Sequence, residues 1–223
     1  MVGPFAWFKW QALFRDWHIF AEGFGNTILA SALALALALA LGIVFGVLGT
    51  THNRLLKAIN RVYVEFIQNT PLVIQVFFVY NGLPHLGIML PVMAVGVLGV
   101  GVYHGAYIAE VVRAGIESIH RGQMEAALSQ GFTFVEAMRY VILPQAARVV
   151  LPPLTNQAVS LIKNTSVLAM VAGGELMYHA DSWSADNLFY GPAYVTVGLL
   201  YLALCFPLAQ FASYLERKTE VSM

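Results

Sequence analysis

Long apolar stretches separated by short polar breaks dominate the chain. A spanning helix needs about 20 mostly apolar residues, and five stretches supply them. The first covers residues 25–49 and is built around the Ala/Leu alternation of 30–41. Because Ala and Leu are both apolar and both strong helix formers, this alternation is no strand signal. The second, 66–83, follows Glu65 and holds Pro71 in its first two turns. A proline is tolerated near a helix start, or where neighbouring helices satisfy the freed backbone groups. The third runs over 88–110, the fourth over 149–172 and the fifth over 192–214. The pattern predicts an all-α integral membrane protein with five transmembrane helices in a single domain, 1–223, and a polar loop over about 116–145.

Composition agrees. Apolar residues make up 59% of the 223 and charged residues 11%, outside the range of soluble domains. The net charge is zero with no basic block or acidic tail, so nothing points to nucleic acid as a partner. The single cysteine, Cys205, lies in an apolar run and reads as a small buried hydrophobe. Residues 1–17 carry Trp7, Trp10 and Trp17 beside Lys9 and Arg15, with no small-residue cleavage site before the first span. They read as an interfacial segment with rings at headgroup level, retained rather than cleaved.

Positive charge orients the spans. Arg54, Lys57 and Arg61 follow span one, Arg113, Arg121, Arg139 and Arg148 follow span three, and Arg217 and Lys218 follow span five. The other side has only Lys9 and Arg15. Nine against two places the 116–145 loop and the C-terminus in the cytoplasm and the N-terminus outside. Glu175, Asp181 and Asp186 then fall in an outer loop over 173–191.

The 116–145 loop carries a spaced motif: Glu125-Ala126-Ala127, then Gly131, then Val141 and Leu143-Pro144. It resembles the cytoplasmic signature of ATP-binding-cassette import permeases, with Val141 where the family pattern usually has Ile. The physics suits a docking element. Small side chains at Ala126 and Ala127 allow close approach by a partner, Gly131 permits a turn with positive φ, and Glu125 can pair or cap. Pro144 disfavours helix just before it and marks re-entry into the membrane. The resemblance implies a coupling helix that fits a cleft of an ATP-binding subunit.

Other runs extend the likeness over about residues 22–218. Asn26-Thr27, Asn53-Arg54-Leu55-Leu56, Tyr63 to Phe66, Thr70 to Val73, Ala106-Tyr107, Arg113 to Ile116, Leu151 to Leu154 and Lys163 to Ser166 look like the polar-amino-acid subfamily, glutamate/aspartate types above all. The resemblance implies a type I importer permease fold in the bacterial inner membrane. It further implies a second permease copy, identical or paralogous, two ATP-binding subunits, an extracytoplasmic solute-binding protein and an amino-acid substrate. No G-x-x-x-x-G-K-[ST] loop, zinc-type His spacing or G-x-S-x-G occurs. The chain thus reads as a transport subunit rather than an enzyme, with no cofactor or metal of its own and with ATP and magnesium on the partner.

Span four supplies a separate reason to expect a polar solute. At about 100° per residue from Asn156, Ser160 falls near 40°, Lys163 near −20° and Asn164 near 80°, one face of the helix. Lys163 lies about 21 Å along the helix from Val149, deep enough to cost about 2.5–3.5 kcal/mol on insertion scales. A substrate carboxylate complements it. A carboxylate of the second copy, Glu110 or Glu175 would serve equally as a structural partner. In the resembling subfamily the residue after this lysine is often Asp; here Asn164 leaves the charge uncompensated, which suggests glutamate, aspartate or a glutamine-like solute over arginine or histidine. Ser166 and Gln75 join the candidate lining. Gln68, Asn69, Thr70, His104 and Tyr107 serve a pathway or helix-to-helix bonding. An ion-coupled secondary amino-acid transporter is the competing class; it calls for deep carboxylates and an inverted repeat, and the sequence displays neither.

Overall fold

The computed structural model describes residues 3–51 and 53–220, so Met1 and Val2 of the expected interfacial segment lie outside the described residues. The order is α1 (Trp7–Arg15), α2 (Trp17–Thr50), α3 (Arg54–Gln68), α4 (Leu72–Phe77), α5 (Leu83–His85), α6 (Val92–Glu117), α7 (Arg121–Ser129), α8 (Phe134–Ala137), α9 (Leu143–Asn164), α10 (Leu176–Asn187) and α11 (Tyr190–Glu220). Among the described residues there is no strand.

Three helices, α2, α6 and α11, are long and apolar enough to cross a membrane, and they occupy the expected first, third and fifth spans. Where the second span is expected, α3 and the α4–α5 stretch meet at 101°, a broken crossing or a re-entrant loop. At the place of the fourth lies α9, continued by a 3-10 helix, Thr165–Val171. With Arg148, Pro152, Pro153, Asn156, Gln157 and Lys163 it is too polar to qualify by composition.

Element ends differ from expectation for local reasons. The third span continues through Glu117 because Arg113 bridges Glu110 and Glu117, one turn on either side, and so ties the polar end of α6 together. The expected outer loop contains α10, whose N-cap is Glu175: its carboxylate accepts from the Met177 and Tyr178 amides at 2.7 and 2.8 Å. Pro144 does not interrupt the helical path. A five-residue π turn, Met138–Ile142, precedes it, and Leu143 keeps helical angles. A proline lacks its N–H and crowds the carbonyl four residues back. The widened turn makes room, and Gln145 Nε2 bonds the Val141 carbonyl at 2.8 Å. The same device precedes Pro84, where a π turn spans Phe78–Gly82.

The chain forms two compact units, each drawn from three segments. The first comprises residues 1–37, 70–101 and 159–207. Its core joins Leu13 and Phe20 to Leu176, Ala180, Trp183, Ala193 and Val197. Asp16 fixes α1 there by accepting from Trp183 Nε1 at 2.9 Å, while Trp7, Phe14 and Trp17 stay exposed. Thr27 and Asn26 of α2 hold the approach to α10, accepting from the Leu176 amide at 3.0 Å and donating to the Gly174 carbonyl at 2.7 Å.

The second unit comprises residues 38–69, 102–158 and 208–223. Its helices meet through small residues. A Cβ placed on Gly42 would lie 2.2 Å from Ile108 Cγ2, and one on Gly46 would lie 2.8 Å from the Ala109 carbonyl oxygen. This is the close backbone approach that a Gly-x-x-x-Gly spacing allows. All nine cations counted toward the cytoplasm belong to this unit, whereas Lys9 and Arg15 belong to the first.

Candidate functional site

The polar motif builds a short, sharply ended helix within the second unit. His120 caps α7 by accepting from the Gly122 amide at 3.1 Å. At the other end Gly131 has φ +88°, its N–H bonds the Leu128 carbonyl at 3.0 Å, and the Phe132 N–H bonds the Ala127 carbonyl at 3.2 Å. This paired pattern is the Schellman ending, which places the residue after the cap in the left-handed region. Thr133 and Glu136 then start α8 with a reciprocal capping box. The Glu136 carboxyl is held below its ordinary range by the Thr133 backbone N–H, then by the Thr133 hydroxyl.

The motif residues divide by exposure. Ala127 is buried within the unit, whereas Glu125, Ala126 and Gly131 are exposed, and no atom lies within 4 Å of a Cβ built on Gly131. Glu125 lines a cleft of about 760 Å³ with His120, Met124, Phe134 and Met138. Val141 is half-buried and Pro144 exposed. The result is a stiff helix presenting one small residue and one carboxylate outward, anchored from behind by its other alanine.

The expected solute-binding residues lie along α9 and just past it, except Gln75, which is in α4. Ser160, Lys163, Asn164, Ser166 and Gln75 belong to the first unit; Asn156 belongs to the second and donates to Glu216 at 2.8 Å. Lys163 is exposed in the last turn of α9, beside the buried Leu161 and Ile162. Ser166 Oγ donates to the Lys163 carbonyl and Thr165 Oγ1 to the Ile162 carbonyl, both at 2.7 Å, which closes the helix as it tightens to 3-10. Gln75 Nε2 donates to the Thr70 carbonyl at 3.0 Å. Among the described residues no group of three or more His, Cys, Asp or Glu is placed to hold a metal ion.

Two polar positions stand out that sequence reasoning missed. Glu175, expected in an outer loop, is fully buried, and Tyr201 donates to it at 2.9 Å in addition to the two cap amides. Burial raises its carboxyl above the ordinary value, against the pull of the Met177, Tyr178 and Tyr201 donors. Glu is not among the strongly preferred N-cap residues, so the sequence carried little signal. Gln157 meets His104 at 3.3 Å within the second unit; one turn of helix separates it from Ser160 and Leu161, and only its amide marked it.

The chain is similar to known proteins over nearly its whole length. Residues 38–221 match the family described as binding-protein-dependent transport system inner membrane component. A probable glutamine ABC transporter permease of Bacillus subtilis (strain 168), GlnM, is 44% identical over 210 residues, covering 94% of this chain and 97% of that one. The glutamine transport system permease GlnP of Escherichia coli (strain K12) is 33% identical over 216 residues, covering 96% and 99%. Among solved structures, an amino acid ABC transporter superposes with a TM-score of 0.85 at 29% identity, covering 93% of this chain and 97% of that one. The MetNI methionine transporter permease, at 18% identity and a TM-score of 0.77, shares the fold.

Proposed function

The chain belongs to the family of binding-protein-dependent transport system inner membrane components, and from that premise we propose that it is the permease subunit of an ATP-driven importer of glutamine-like polar L-amino acids. In this family ATP hydrolysis resides on a separate ATP-binding subunit. The permease contributes a pathway and a mechanical contact. The observation that carries the reading is α7: a capped helix ended by Gly131, with Glu125 and Ala126 outward and Ala127 anchored behind. Such an element moves as a body when a partner's cleft closes on it. The nine cations of the second unit support placing α7 in the cytoplasm and the N-terminus outside.

Solute arrives from an extracytoplasmic binding protein and passes between this chain and a second permease, with Lys163 meeting the carboxylate and Asn164, Ser160 and Gln75 the polar side chain. Of the two chemistries left open by an amide after the lysine, acidic and neutral, the glutamine permeases among the relatives favour the neutral one. Reconstituted with its ATP-binding subunits and binding protein, the transporter is expected to take up labelled glutamine only with ATP inside reach of those subunits. Unlabelled glutamine is expected to compete and arginine not. Strong competition by arginine with none by glutamine ends the substrate assignment, and uptake driven by an ion gradient without ATP ends the class.

Among the described residues the buried carboxylate of Glu175 suits ion coupling instead. Its oxygens already accept from two amides and a tyrosine hydroxyl, the satisfaction a structural cap requires.

A further inference from the structure

The start of α7 is held by a group that can change its charge. The N–H groups of a first helical turn lack intrahelical acceptors, and the helix dipole favours anions beside them. The first turn of α7 holds no acid and opens with the cation Arg121. Its side-chain cap is a single bond, from the Gly122 N–H to His120 Nδ1 at 3.1 Å. His120 is exposed, so its ring exchanges protons directly with the surrounding water.

That bond fixes the state of the ring. An amide N–H only donates, so Nδ1 keeps its lone pair and the one ring proton sits on Nε2. In the imidazolium both nitrogens are donors, and the cap is lost as the proton arrives. The new charge also falls beside Arg121 at the helix end where a cation is disfavoured. Gly122 belongs to the same device. A Cβ there would lie 3.0 Å from His120 Nδ1 and 3.3 Å from its Cε1, so a side chain would push the ring off the amide.

The surroundings offer the charged ring a second place. His120 lines the 760 Å³ cleft together with Glu117 from the end of α6 and with Arg121 and Glu125 of α7. From α2, α8 and the π turn come only uncharged groups, Thr50, Phe134, Met138 and Ile142. Two carboxylates against one guanidinium leave this lining negative, which favours the imidazolium, while the cap favours the neutral ring.

We propose that His120 is a positioning residue for the coupling helix, and that its protonation releases the first turn of α7 and weakens coupling when the cytoplasm turns acid. The neutral ring holds the Gly122 amide and keeps α7 stiff to its start. The charged ring leaves for the cleft carboxylates, the turn at Arg121 and Gly122 frays, and Glu125 one turn on loses its fixed angle. Histidine suits the task because its ordinary charge change falls between about pH 5 and 8. The inference rests on the reading of α7 as the contact with the ATP-binding subunit.

The test uses the intact transporter, permease with its ATP-binding subunits and binding protein, and three variants. His120→Asn caps without titrating, His120→Ala does neither, and Gly122→Ala keeps the histidine but crowds its ring. Two readouts are taken from about pH 8 to about pH 5. One is hydrogen exchange over residues 121–125, compared between proteins at each pH so that the intrinsic dependence cancels. The other is uptake per ATP hydrolysed in proteoliposomes, with pH set on the side of the ATP-binding subunits. Wild type and His120→Asn are expected to be equally protected at the upper end, with wild type about tenfold less protected at the lower. His120→Ala and Gly122→Ala are expected to be poorly protected throughout, with no step. Uptake per ATP is expected to fall with acid in wild type and to stay level in His120→Asn. Equal protection of wild type and His120→Asn at every pH overturns the switch, whatever uptake does; so does a step that survives in His120→Asn. A step in protection with none in uptake per ATP overturns the control of coupling, and places the failure in the assignment of α7 rather than in the cap.

Discussion

Gly131 separates two explanations for the coupling motif, small size and backbone conformation. At φ +88° it occupies the left-handed region, and nothing stands within 4 Å of an added Cβ. A side chain there meets no steric wall, so the whole cost is conformational. For an L-residue that cost is about 1–2 kcal/mol, and Asn, which tolerates the left-handed region, incurs less. If the Schellman ending must form for α7 to present Glu125 and Ala126, about 1–2 kcal/mol lowers the ratio of formed to unformed ending about 5- to 30-fold. The expected order of ATP-coupled uptake is therefore wild type, then Gly131→Asn, then Gly131→Ala, then Gly131→Val. Asn is larger than Ala, so a size requirement reverses the middle pair. The assay is uptake per ATP hydrolysed in proteoliposomes of matched permease content. Gly131→Ala coupling as well as wild type while Gly131→Asn fails would falsify the conformational account.

Two other predictions concern stability. Gly46→Ala pushes a methyl to 2.8 Å from the Ala109 carbonyl and 2.7 Å from Val112 Cβ, an overpacking cost of about 1–3 kcal/mol that the gain in helix propensity, about 1 kcal/mol, offsets only in part. Gly25→Ala in the same helix meets nothing within 4 Å and keeps the propensity gain, so the thermal midpoint of the purified complex is expected to fall for the first and hold or rise for the second. Equal shifts refute the packing argument. The folded-state carboxyl of Glu175 lies above its unfolded value because it is buried, so its linked stability is fully present below the ordinary carboxylate pKa of about 4.3 and is lost as pH rises through the raised value. Glu175→Gln is expected to flatten that part of the midpoint-against-pH curve while keeping an acceptor for the cap; an unchanged slope counts against it.

Much of the fold was legible because the strongest signals were apolar. Runs such as 25–49 and 192–214 leave a chain in lipid no option but helix, since every backbone group must be satisfied internally. What escaped the sequence were decisions made by polar groups in three dimensions. Nothing in the order of residues said that Glu175 would turn inward to cap α10 rather than face water, nor that Pro144 would be absorbed by a π turn instead of ending a helix. The turn at Gly131 was readable because its cause is local, whereas the His120 cap and the Thr133–Glu136 capping box that flank it within 17 residues went unread. The Gly42-x-x-x-Gly46 seam was equally local and could have been read from its spacing. The candidate solute-binding residues of the fourth span were readable only as a face of one helix. In the structure Asn156 of that face donates to Glu216, a partner 60 residues away that no local pattern points to.

Lys163 can be weighed more sharply with its position known. It sits in the last turn of α9, which runs on without a break into the 3-10 turns of Thr165–Val171, so the helix end lies beyond it and does little for the cation. A charge deep in the bilayer costs about 2.5–3.5 kcal/mol on insertion scales. At such a depth most of that cost is left to be met by something else, and among the described residues Lys163 makes no ion pair within the chain. On the proposed function that remainder falls to a transported carboxylate, and the competing partner is an acid on a second permease. Lys163→Met distinguishes them. With a solute partner, removing the charge also removes the burial cost, so assembly and thermal midpoint hold or improve while the KM for glutamine rises steeply. With a structural partner, the substitution strands a buried carboxylate, which costs about 3–5 kcal/mol, and the complex falls apart during purification. Loss of assembly, with an unchanged KM in whatever transporter survives, removes Lys163 from the solute pathway.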